Sequence, residues 1–225
     1  MQRTKIGKLA DIMNTINHTW ALIKYSLLGA ILIAGIACSS GDSTQLSKLS
    51  PNGIILAFGD SLTYGTGAGG SQYSYPSILA EKIERQVINE GVPGELSGEG
   101  VARLPQVLDR YQPHLVILCH GGNDLLRQRA DSQIVANLQK MIELVRERGI
   151  EIVLLAVPRP TLLFMESASF YTEIAREYHI PVDNKTLVSL EKNSALKSDR
   201  VHLNREGYRL LGEAVFRLLR GSGAL

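Results

Sequence analysis

Ser61 stands in Gly59-Asp60-Ser61-Leu62, directly after the apolar run Ile54 to Phe58, and far along the chain Asp199 and His202 stand three residues apart in Asp199-Arg200-Val201-His202. A hydroxyl, an imidazole and a carboxylate are the groups from which a serine nucleophile, its general base and the orienter of that base are made. A spacing of three lets the Asp199 and His202 side chains project the same way from one helical turn or a tight loop. Asp199 then accepts a hydrogen bond from imidazole Nδ1, which leaves Nε2 to take the proton of Ser61. Taken singly, Ser61 also reads as a helix N-cap and Asp199 as a cap for the helix starting near Asn204, but the second reading leaves His202 without a role. The position two after Ser61 is Thr63, so this is not the Gly-x-Ser-x-Gly elbow.

Two further blocks lie between these. Asn89-Glu90-Gly91-Val92-Pro93-Gly94 follows the start of a short apolar run at Val87, and Gly121-Gly122-Asn123-Asp124 follows the run Leu115 to Cys119. Paired glycines just after a strand let the backbone pass close to a ligand. Polar clusters after strand ends are where an open α/β sheet keeps its chemistry.

The four blocks, in this order and at these points of an alternating pattern, resemble the GDSL, or SGNH, hydrolase family from about Ile54 to about Leu219, closest to its bacterial acyl-CoA thioesterase, lysophospholipase and arylesterase branch. The resemblance implies a Ser61-His202-Asp199 triad working through an acyl-enzyme. It also implies an oxyanion hole from the backbone N–H of Ser61, the backbone N–H of Gly94 and the side-chain amide of Asn123. Val92-Pro93-Gly94-Glu95 reads equally as a simple type II turn. Asp60 and Asp124 are expected to brace their loops. Leu203 follows His202 where the thioesterase branch usually has proline, and CoA thioesters are scarce outside the cytoplasm. Simple carboxylic esters and lysophospholipids are therefore ranked above acyl-CoA. The same triad serves an alternative, removal of O-acetyl groups from polysaccharide, for which Tyr64, Tyr73 and Tyr75 would be sugar-stacking residues. A reading of another class is a non-catalytic envelope lipoprotein that only binds.

The elements that must position these residues follow from the pattern. Ile54–Phe58, Val87–Asn89, Leu115–Cys119, Ile152–Val157 and Ile180–Asp183 read as strands, the first three without alternation, as in a parallel sheet covered on both faces. Helical spacing marks Tyr75–Gln86, Val101–Tyr111, Ser132–Arg148, Phe170–His179 and Asn204–Arg220, with Pro105 opening or kinking the second half of its helix. The crossover rule makes this an α/β fold, a three-layer α/β/α sandwich with a five-stranded parallel sheet, and the resemblance adds a flavodoxin-like strand order of 2-1-3-4-5. Leu162-Leu163-Phe164-Met165 reads either as an acyl-groove wall facing Leu125 and Leu126 or as the buried face of the next helix.

The first residues differ from the rest. Tyr25 to Ala37 is an uncharged, largely apolar run of 13 residues after Lys24, short of the roughly 20 a membrane span needs and suited to a signal peptide that starts at Met1 or Met13. It ends Ala34-Gly35-Ile36-Ala37-Cys38, which resembles a lipobox, the alternative being an ordinary secretory signal cleaved near Ala37. The expected organisation is thus 1–37 signal peptide, 38–52 a tether lipidated at Cys38, and 53–225 one hydrolase domain. The protein is expected to be monomeric and exported to the cell envelope, held on a membrane facing the periplasm by its lipid. Without residues 1–37, 20 cations face 21 anions, so the basic isoelectric point of 8.5 gives no support to nucleic-acid binding. Cys119, in an apolar run, reads as a buried inert thiol. No Cys/His cluster has metal spacing and Gly65–Gly70 lacks the context of a dinucleotide site, so no cofactor is expected.

Overall fold

The computed structural model describes residues 44–160 and 165–225. The expected signal peptide, Cys38 and Leu162–Phe164 lie outside them. Five parallel strands form one sheet in the order β2 (Val87–Gly91), β1 (Ile55–Gly59), β3 (Leu115–Cys119), β4 (Glu151–Leu155), β7 (Val182–Asp183). This is the expected order. β1 and β3 are buried along their whole length, which is why they carry no polar alternation.

The helices form two layers. On one side α2 (Tyr75–Ile83) packs with α8 (Arg205–Gly221); on the other α3 (Ser97–Tyr111) packs with α5 (Asp131–Arg146), and α5 with α6 (Ser169–Glu177). From β1 the chain goes to β2 on one side, then returns across β1 to β3 on the other. The strand order therefore reverses between β1 and β3, and a crevice opens beyond their carboxyl ends.

Several elements differ from the expected ones. Helix α3 begins at Ser97 rather than Val101 and runs through Pro105. Gly98 and Gly100 are poor helix formers, but Asp124 takes the Ser97 N–H at 2.8 Å and its hydroxyl at 2.7 Å, and Glu99 reaches back to the Leu96 N–H at 2.8 Å. Short helix α1 (Ser61–Tyr64) starts where Ser61 reads as an N-cap, although Asp60 is the residue that caps it; the short helices α4 (Gly122–Leu126) and α7 (Thr186–Lys192) were not expected, nor was the small antiparallel pair β5 (Pro158–Pro160) and β6 (Met165–Ser167).

The expected domain start at residue 53 needs correction, because Thr44–Leu225 forms one compact unit. Leu49 is buried and Leu46 packs on the core. Their N–H groups donate to the carbonyls of Ala224 at 2.9 Å and Ser222 at 2.7 Å, and the Ser47 N–H donates to Glu151 Oε1, at the start of β4, at 3.0 Å. The last residues assigned to a tether are thus fixed at the amino ends of the strands.

Candidate active site

The ends of β1, β2 and β3 each deliver one part of the site, and the turn before α8 delivers another. Asp60 follows β1 and caps α1 by accepting the Leu62 N–H at 3.1 Å, which leaves Ser61 at the first position of a four-residue helix. That helix stops at Gly65, and the chain then passes through Gly67, whose φ is +91°. A Cβ there would lie 2.0 Å from Ser198 Oγ and 2.6 Å from the Leu203 carbonyl. Only glycine lets the segment after Ser61 press against the loop that carries His202.

That loop is a tight turn closed by pairing between Lys197 and Leu203 and by the Ser198 N–H donating to the His202 carbonyl at 2.9 Å. Within it Asp199 Oδ1 accepts the N–H groups of Val201 at 2.8 Å and His202 at 2.9 Å, while Oδ2 lies 2.7 Å from His202 Nδ1. His202 Nε2 lies 3.0 Å from Ser61 Oγ. A carboxylate only accepts, so Nδ1 carries the imidazole proton and the Nε2 lone pair faces the serine hydroxyl. Desolvation opposes the charged form of Asp199, but the hydrogen bonds from Val201 and His202 together outweigh it and hold the carboxyl at about 2. Asp199 is therefore anionic throughout the neutral range.

After β2, the Glu95 N–H donates to the Val92 carbonyl at 3.2 Å, and Gly94 has φ +81°, as in a type II turn. The same glycine lines the pocket above Ser61, so the two readings of this segment are compatible. Among the described residues neither the Ser61 nor the Gly94 N–H has an acceptor.

After β3, Asn123 Nδ2 donates to Asp60 Oδ2 at 3.3 Å and to the Glu95 carbonyl at 3.1 Å, so the three loops are tied together. Burial pushes the Asp60 carboxyl up, against the pull of His120, the Leu62 N–H and His202.

The sequence reading missed the clamp beneath these loops. Arg103 on α3 holds Glu95 with Nε on Oε1 at 2.7 Å and Nη2 on Oε2 at 2.8 Å, and also reaches Glu90 Oε2 at 3.0 Å. Fully buried His120 lies with Nε2 3.0 Å from Glu95 Oε2, and its Nδ1 accepts the Gly121 N–H at 3.0 Å, so Nε2 bears the proton. Burial alone would raise the Glu95 carboxyl, but its hydrogen bonds with Arg103 and His120 bring it below its usual value. Cys119 is buried, and desolvation pushes its thiol well up, far from a nucleophile's range.

Ser61, Gly94, Asn123 and His202 all line one pocket of about 250 Å³, with Leu62, Leu126, Val157 and Val201 among its apolar walls. Leu126 is 48% exposed at this wall, whereas Leu125 is buried. Tyr64, Tyr73 and Tyr75 do not line it; Tyr75 is fully buried and Tyr73 lies under Arg205, 3.6 Å from its ring centre. Glu191, on α7, does line the pocket and had drawn no attention in the sequence.

Residues 57–210 match the model of the GDSL-like lipase/acylhydrolase family. An arylesterase of Vibrio mimicus is 37% identical over 128 residues, 55% of this chain and 60% of that protein. The thioesterase 1/protease 1/lysophospholipase L1 of Escherichia coli (strain K12) is 29% identical over 68% of this chain and 76% of its own length. The crystal structure of the esterase EstA from Pseudoalteromonas sp. superposes with a TM-score of 0.68 at 21% identity, covering 76% of this chain and 98% of that one, and so shares the fold.

Proposed function

Because this chain belongs to the GDSL-like lipase/acylhydrolase family of ester hydrolases, we propose that it is a serine esterase acting on carboxylic esters through Ser61, His202 and Asp199. The observation that carries this is the unbroken chain from Asp199 Oδ2 through His202 to Ser61 Oγ, 2.7 Å and 3.0 Å, ending at a mostly apolar pocket. Ser61 Oγ adds to the ester carbonyl as its proton passes to His202 Nε2, and the imidazolium is stabilised by Asp199. Collapse of the tetrahedral adduct breaks the ester C–O bond. His202 gives its proton to the departing alcohol, leaving an acyl-serine that water cleaves by the same steps.

The negative oxygen of that adduct is taken by the free N–H groups of Ser61 and Gly94 and by Asn123, each donor being worth about 3 kcal/mol. Asn123 is held in place by Asp60 and the Glu95 carbonyl until the charge develops. Asn123→Ala is therefore expected to lower kcat by about 10²- to 10³-fold with little change in KM. A large rise in KM with kcat intact would assign Asn123 to substrate binding instead.

The apolar walls favour an acyl chain over a sugar, and the tyrosines that suggested sugar stacking lie away from the pocket. Hydrolysis of p-nitrophenyl esters from acetyl to palmitoyl tests this. Activity rising beyond acetyl is expected; activity confined to acetyl would put the deacetylase reading first, and no activity on any ester would remove the proposal.

A further inference from the structure

Glu191 has no part in the steps above, although it stands in the wall of the same pocket. It is 8% exposed, and among the described residues nothing hydrogen-bonds to its carboxyl. The attachment of α7 does not need it, since Leu187 and Leu190 are the helix's buried apolar residues. A carboxyl without a partner, on a residue so largely covered and in a wall that is otherwise mostly apolar, is costly.

The surrounding charges leave it uncompensated. Lys197 favours its ionised form, but the Lys197 Nζ is committed to the Arg200 carbonyl at 2.6 Å, while Asp60 and Asp199 disfavour it. Arg200 lines the pocket as an exposed residue. Of the charges on the elements packed against α7, Arg159 on β5 is ion-paired with Asp131, and on α8 Arg209 is ion-paired with Glu206 and Glu213; Glu166 on β6 is exposed, and Arg205 lies over Tyr73.

We infer that Glu191 selects substrates by charge, so that the pocket takes esters uncharged around the scissile bond and turns away those bearing a carboxylate or phosphate there. This rests on the ester-hydrolase reading and narrows it, ranking uncharged carboxylic esters above those whose alcohol part carries an anion close to the bond. Burial lifts the Glu191 carboxyl to about 7 against the pull of Lys197, so its charge, and with it the rejection of anions, grows as pH rises through that value.

Two esters with the same butyryl group test it: 4-(butyryloxy)benzoate and its uncharged methyl ester. The ratio of kcat/KM, neutral over anionic, cancels whatever acts equally on both esters, including any loss of folded protein, because both need the same machinery. In the parent protein this ratio is expected to rise about tenfold from about pH 6 to about pH 8, the scale of a like-charge repulsion across a pocket. In Glu191→Gln it is expected to be about tenfold lower at about pH 8 and flat with pH. A ratio that is flat in the parent and unchanged in the variant would overturn the inference, and the parent profile alone decides it if the variant does not fold. Hydrolysis of the methyl ester with a flat ratio removes only the role of Glu191. Absence of hydrolysis of either ester removes the ester-hydrolase reading as well.

Discussion

Ser61→Ala is expected to lower kcat/KM for an ester by about 10⁴-fold or more while leaving thermal unfolding and the circular dichroism spectrum unchanged. The size follows from loss of the nucleophile itself; what remains is the acceleration that donors and binding supply without it. The absence of a stability effect follows from the local geometry. Among the described residues the Ser61 hydroxyl has one hydrogen-bond partner, His202 Nε2, and it is Asp60 that caps the helix. Turnover surviving in the variant would mean that another group attacks the carbonyl. A drop in unfolding temperature with activity loss in proportion would mean that the hydroxyl holds the fold rather than doing the chemistry.

Asp199→Asn is expected to be nearly as damaging, about 10⁴-fold in kcat, for a reason visible in the turn. The amide oxygen can still accept the N–H groups of Val201 and His202, so the loop keeps its shape. Its NH₂ then faces His202 Nδ1 and can only donate. Nδ1 must become the acceptor, the ring proton moves to Nε2, and the imidazole presents a donor to Ser61 where it needs an acceptor. The tautomer, read from ring-nitrogen chemical shifts, should change together with kcat. Full activity with an unchanged tautomer would remove Asp199 from the proposed triad.

The sheet was legible because β1 and β3 are buried on both faces and carry that burial as unbroken apolar runs. The order of the strands came with the family resemblance; periodicity cannot supply it. The start of α3 was not legible because its stabilisers are distant: Asp124 lies 27 residues from Ser97, and Gly100 is glycine because a Cβ there would lie 2.5 Å from His120 Nε2. Ser61, Asp199, His202, Gly94 and Asn123 could be named because they sit in short blocks. Arg103, Glu95 and His120 belong to three different segments and meet only in the folded chain. Glu191 lies on a seven-residue helix, too short to show a face, and a glutamate beside a lysine there looks like solvated surface.

The way residues 46 to 49 enter the domain decides how the protein would be presented to the outside. They sit where the strands begin, whereas Ser61, Gly94 and Asn123 follow where strands end, a strand length of about 16 Å away along β1. Anything joined at residue 44 itself therefore meets the domain at the pole opposite the mouth of the pocket. A fusion or immobilisation made at residue 44 is thus expected to leave the mouth of the pocket open to substrate.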